Sequence, residues 1–198
     1  MGPLAAEDSL TAAEAADADN RPGRHGKSII AFLKADHGCS PENPAGGPWG
    51  NSMIYHVEVE AGEAGNRRVE CRVRNHVVRA DQPREFGADD TAPTPPELLA
   101  TALGSCVVST VQFLAMQRGR DVRNIRVTVE GEIDFSKAMG LGHGGRAGFR
   151  DLKIRIGFDS AMTREERADF MKAVFDCGAC IDSLQDPTPI SWEWRSGE

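Results

Sequence analysis

Five cysteines carry the most reactive side chains of this 198-residue chain: Cys39, Cys71, Cys106, Cys177 and Cys180. Cys106 stands near the middle of PPELLATALGSCVVSTVQFLAMQRG, Pro95 to Gly119, where the 17 residues from Leu98 to Leu114 carry no charge. Two readings fit a thiol there. A free cysteine packs as a small hydrophobe, and a thiol buried away from charge has a raised pKa and is inert. With a cation beside it and a route to solvent, the same thiol ionises and becomes a nucleophile.

The second thiol locus is CGAC, Cys177 and Cys180. A C-x-x-C pair is a redox couple or half of a zinc site. Zinc wants a second pair at defined spacing, and here no second C-x-x-C and no H-x-x-x-H accompanies the five scattered histidines. A thioredoxin-type pair opens a helix after a strand, where the helix dipole lowers the thiol pKa; this pair comes at the end of an amphipathic segment. Other chemistry is thinner. GLGHGGRAG (140–148) lacks the lysine of a phosphate-binding loop, and Asp89, Asp90 and Glu97 are not spaced as a metal set. Trp49, Trp192 and Trp194 read as packing aromatics, His143 as a solvated loop residue, and no serine triad is legible. The residues alone therefore point to two thiol loci far apart in sequence that could form one redox couple.

Bulk properties bound the partners. The net charge is −7 and 40% of residues are apolar, so an electrostatic nucleic-acid binder is not expected. Arg67, Arg68, Arg72 and Arg74 cluster, but Glu70 interrupts them. The first 27 residues show no apolar core of a signal peptide. Leu98–Leu114 is short for a membrane span and holds Thr, Ser, Gln and Gly, which favours a buried core helix and no membrane. An odd number of cysteines without a secretory signal reads as reduced thiols in a cytoplasmic setting.

The elements that must position the thiols are set by periodicity. Residues 1–50 read as an N-terminal arm, with a short amphipathic helix at 28–36 and a Gly/Pro-rich loop to 52. MIYHVEVEA (53–61), NRRVECRVR (66–74) and NHVVRAD (75–81) alternate apolar and polar residues and predict an antiparallel meander. TPPE (94–97) is a helix start, in which Thr94 caps, Pro95 needs no donor and Glu97 completes a capping box. Strands are predicted at 125–135 and 150–160, an amphipathic helix at 163–178 and a closing strand at 186–195. The order predicts an α+β domain over 51–198.

Three segments together resemble the OsmC/Ohr family, the osmotically induced and organic-hydroperoxide-resistance proteins, in its OsmC-like subgroup. They are TPPELLATALGSCVVSTVQFLAMQRGRDVRNIRVTVEGEID, GLGHGGRAGFRDLKIRIGFDSAMTREE and DCGACIDSLQDPTPISWEW. The resemblance covers about residues 50–195. It implies antiparallel sheets wrapped around a long central helix, in an intertwined homodimer with two sites at its interface and no cofactor. It makes Cys106 the peroxidatic thiol, resolved by a second cysteine. Counted back from Leu184, the family cysteine falls on Gly178; Cys177, one residue away and on the helix stripe, is the preferred match and Cys180 the other. It implies that Glu97 holds an arginine that stabilises the thiolate, with Arg67 in GNRRVE as the carried-over residue and Arg68 as the alternative. The activity implied is reduction of organic hydroperoxides, with an external dithiol recycling the disulfide. The competing expectation is a non-enzymatic dimer of the same fold that binds an apolar small molecule at the interface.

Overall fold

A three-stranded meander leads into the central helix. In the computed structural model, which describes residues 54–141, 145–186 and 188–195, β1 (Glu60–Glu63), β2 (Val69–Val73) and β3 (His76–Ala80) pair antiparallel in that order. Cys71 on β2 stands between Ala61 and Val78. The β1–β2 turn needs left-handed backbone at Gly65, Asn66 and Arg67, and the β2–β3 turn at Arg74. Glu70, the acid inside the basic run, pairs with Arg72 and Arg79. The boundary at residue 50, the helix at 28–36, Cys39, Trp49 and His143 lie outside the described residues.

A buried acid fastens the meander to the central helix. Asp81 accepts hydrogen bonds from the amide of Gln82 and from the amide and hydroxyl of Thr91, and its own amide donates to the carbonyl of Pro93. These bonds close the 82–93 loop on itself and deliver Thr94 to the start of α1 (Pro95–Gln117). Thr94 and Glu97 form the expected capping box, each side chain accepting from the other's amide. Arg118 and Gly119 end the helix, the glycine with φ at +60°.

Along α1 the residues Leu103, Val107, Val111, Leu114 and Ala115 recur at helical spacing and are buried. Their neighbours across the axis, Ser105, Ser109, Gln112, Phe113 and Met116, are exposed. The helix is thus buried on one face, not all round as its uncharged run predicts. By length and composition alone it could cross a bilayer. Its apolar stripe instead packs on a long hairpin, β4 (Val122–Ile133) with β5 (Phe149–Ser160). Val127 and Val129 of β4 and Leu152, Ile154 and Ile156 of β5 face the helix, and their alternates face outward. Gly104 marks a close approach, since a Cβ there would lie 3.3 Å from Val129.

Two further helices complete the core. A second capping box, Thr163 with Glu166, starts α2 (Arg164–Cys177), which buries Phe170 and Val174. Gly178 breaks the helix, and α3 (Ala179–Gln185) begins at once and buries Ile181. The sequence predicts α2 but not α3, a seven-residue helix too short to show a period. Two predicted strands are corrected. Residues 54–59 and 188–195 pair with no strand among the described residues, although both alternate. A ladder needs an edge as well as a pattern, and Ile190, Trp192 and Trp194 remain 92%, 87% and 85% exposed. The architecture is mixed α+β, antiparallel sheets with a long central helix.

Candidate functional site

The two thiol loci meet. Cys106 sits three residues past buried Leu103 and one before Val107, at the edge of the packed stripe of α1 and half-buried. Its own carbonyl accepts from the hydroxyl of Thr110 at 2.8 Å. The break at Gly178 turns α3 so that the backbone amide of Cys180 donates to the sulfur of Cys106 at 3.4 Å, across 74 residues of sequence. Cys180 is also half-buried. Burial pushes its thiol up from the ordinary value, and the hydrogen bond to Cys106 and the charge of that sulfur push it further in the same direction. These causes all favour the protonated thiol at Cys180.

Cys71, Cys106 and Cys180 carry free thiols. Cys177, preferred from the sequence as the second cysteine, packs half-buried against the core and is disulfide-bonded. The cysteine that reaches Cys106 is Cys180. Spacing could not separate the two, because the choice depends on where α2 stops, and Gly178 stops it between them.

Within the chain, the charged residues expected at the site make contacts of their own. The carboxylate of Glu97 accepts from the amide of Thr94 at 2.7 Å and from its hydroxyl at 2.9 Å. Those two bonds, the amide first, hold its pKa below the ordinary carboxylate value. Arg67 lies in the β1–β2 turn with φ at +65°, and its guanidinium carbon lies 4.0 Å from the position a Cβ at Gly87 would take. Arg68 donates to the carbonyl of Gly65 and contributes its charge to the lowering of Asp81. No ion pair or hydrogen bond joins either arginine to Glu97 or Cys106 among the described residues.

Beside the thiols lies an apolar cavity of about 800 Å³. Pro95, Leu99 and Leu103 of α1 form one wall, Phe135, Leu152 and Ile154 the next, and Phe175, Ile181 and Leu184 the third. Leu103 is one helical turn from Cys106 and Ile181 is next in the chain to Cys180, while neither cysteine is itself a lining residue. Phe135 is held by an edge-on contact with Phe86, 5.7 Å between ring centres. Arg146, Arg150 and Lys153 also line the cavity, with Arg150 paired to Asp134. A second cavity of about 490 Å³, polar in character, lies against the first turn of α1 between Asp90, Thr91, Glu97 and Thr101. No three His, Cys, Asp or Glu side chains gather as a metal site among the described residues.

Chemically, the arrangement offers a sulfur that accepts a hydrogen bond, a second thiol adjacent to it and an apolar cavity lined by close chain neighbours of both. Comparison with known proteins agrees with the architecture. Residues 87–193 match the model of the OsmC-like protein family. A search of curated proteins by sequence finds no match. Among solved structures, the OsmC-like protein of Mycoplasma pneumoniae is 15% identical with a TM-score of 0.59, covering 68% of this chain and 91% of its own. An organic hydroperoxide resistance protein OsmC of Legionella pneumophila is 14% identical with a TM-score of 0.50, covering 68% and 92%. An organic hydroperoxide resistance protein of Vibrio cholerae, with captopril in one of its active sites, is 18% identical with a TM-score of 0.51, covering 69% and 88%. At these identities the likeness is one of fold.

Proposed function

The chain belongs to the OsmC-like protein family, and on that footing we propose that it is a thiol-dependent peroxidase that reduces organic hydroperoxides with Cys106 as the attacking thiol and Cys180 as the resolving one. The observation that carries the reading is the contact between the two cysteines, amide to sulfur at 3.4 Å, beside an apolar cavity. Solved structures of the same fold that are named organic hydroperoxide resistance proteins support it.

The chemistry runs in three balanced steps. The Cys106 thiolate attacks one oxygen of the hydroperoxide; the O–O bond breaks, the sulfur becomes a sulfenic acid and the other oxygen leaves as alkoxide, taking a proton to become the alcohol. The Cys180 sulfur, ionised as it attacks, then displaces the hydroxyl from Cys106, giving a disulfide and water. An external dithiol, itself oxidised to a disulfide, returns both thiols by exchange. The apolar cavity favours a substrate with a hydrocarbon body over hydrogen peroxide, because burying that body is the larger gain.

The partner in assembly is a second copy of the chain. Phe113 and Met116 on the outer face of α1, together with Ile190, Trp192 and Trp194, are large apolar side chains left exposed, and a second copy would cover them. In such a homodimer an arginine from the β1–β2 turn, Arg67 or Arg68, would reach the thiolate with Glu97 orienting it. A cytoplasmic setting, where dithiol reductants are plentiful, suits the cycle.

The test is turnover of cumene hydroperoxide with a dithiol reductant, then mapping of the oxidised peptides. Consumption with a Cys106–Cys180 disulfide is the expected result. A protein that consumes no hydroperoxide yet rises in melting temperature with apolar ligands is instead a binding protein of the same fold.

A further inference from the structure

Resting on the reading of Cys106 as the attacking thiolate, we propose that the main-chain amide of Cys180 is the hydrogen-bond donor that holds negative charge on the Cys106 sulfur, so that residue 180 serves the site twice, by its N–H before attack and by its thiol afterwards. The amide is 3.4 Å from the sulfur. It is also not needed by its own helix. Cys180 is the second residue of α3, where an amide has no carbonyl four residues back to serve. The first bond internal to that turn is from Asp182 to the carbonyl of Gly178. The donor is therefore fixed in place, and aiming it costs no reorganisation at the moment of reaction.

The contact discriminates between the two states of the sulfur. A thiol is a weak acceptor and a thiolate a strong one, so the same geometry is worth more after ionisation. A donor aimed at a sulfur favours the charged form. The thiol of Cys180, pushed up first by burial and then by the neighbouring sulfur, fits the same division of labour, since it keeps its own proton until it attacks. Within the chain the amide donates to that sulfur, and the arginine of the proposed homodimer would add to it. The arrangement also orders the steps: the residue whose backbone steadies the thiolate keeps the resolving thiol within a side chain's length of the sulfenic acid.

The test separates the amide from the thiol. Cys180→Ala removes the thiol and keeps the N–H; Cys180→Pro removes both, and proline is accommodated in the first turn of a helix, where no intrahelical bond is lost. The rate of alkylation of Cys106 by iodoacetamide is measured against pH in the full chain by peptide mass. The Ala variant is the reference for the comparison, because it loses the thiol's own hydrogen bond to Cys106 and keeps the amide. The Pro variant should react about tenfold more slowly at pH 7, the loss of one hydrogen bond to a charged acceptor, with its profile moved to higher pH. Superimposable Ala and Pro profiles overturn the proposal. Should the Pro variant not fold, as read by circular dichroism, the amide of residue 180 in ¹⁵N-labelled Cys180→Ala protein decides: a resonance that titrates with the midpoint of Cys106 alkylation supports the contact, and one that ignores it overturns it. A wild-type protein that shows this titration but leaves cumene hydroperoxide unconsumed overturns the peroxidase reading while supporting the hydrogen bond.

Discussion

The side chain that Gly178 lacks has no room beside Ile181: a Cβ at residue 178 would stand 2.7 Å from Cδ1 and 3.1 Å from Cγ1 of that isoleucine, and 3.3 Å from the carbonyl of Val174. The glycine is the joint between α2 and α3, and it sets where Cys180 arrives. Gly178→Ala is expected to destabilise the fold by about 2 kcal/mol through overpacking. It should slow disulfide formation at Cys106 more than it slows attack on peroxide, because the shift falls on α3. Stopped-flow traces of the two oxidation steps, set beside a urea unfolding curve, check both parts.

Cys106→Ser should reduce hydroperoxide turnover by about a thousandfold or more, the loss typical of removing a nucleophile. Its melting temperature should stay near that of the wild type, because a half-buried thiol and a hydroxyl differ little in size. A serine variant with retained turnover would place the chemistry elsewhere.

The two cysteines of CGAC should behave differently. Cys180→Ser is expected to leave Cys106 as a sulfenic acid after one equivalent of hydroperoxide, trapped by dimedone and seen by mass. Cys177→Ser should still form the Cys106–Cys180 bridge. The opposite pattern restores Cys177 as the resolving residue.

How much of the molecule is legible in its sequence depends on the kind of signal. The Thr94–Glu97 capping box and the outline of α1 are, because a cap is a local pattern of four residues. The second and third strands of the meander and the long hairpin are, because period-two alternation survives in the chain, whereas β1 (EAGE) carries none. The closing strand at 186–195 is not, since Ile190, Trp192 and Trp194 supply the alternation but no described strand supplies the edge. At the site, Cys106 stands out by its setting in an uncharged run. Its contact with Cys180 does not, because it depends on one glycine ending a helix 72 residues away. The position of Glu97 is readable and its engagement by Thr94 is implied by the same motif, which already gives that carboxylate two donors.

Asp81 should carry acid sensitivity. The amide of Thr91 first, then its hydroxyl and the amide of Gln82, hold its carboxyl below the ordinary 3.8 against the opposing effect of burial. A lowered folded value means that its contribution to stability is complete above the ordinary value and is lost as pH falls through the lowered one. Asp81→Asn should therefore lower the melting temperature at pH 7, on the order of 5 °C, and the gap to wild type should narrow as pH falls below the ordinary carboxyl value. A gap independent of pH would assign the loss to packing of the loop instead.

The 74 residues that separate Cys106 from Cys180 give the proposed cycle a mechanical side. A bridge between them would tie α1 to α3 and close a loop that includes the whole β4–β5 hairpin and α2. In the chain-entropy account a cross-link over a loop of that size removes about 4 kcal/mol of freedom from the unfolded chain. Oxidised protein would then be the sturdier form, melting above the reduced form, and each visit by the reductant would return the molecule to a looser state. Resistance to a protease would rise and fall with the peroxide load, so that the protein's lifetime would itself record how hard it had been working.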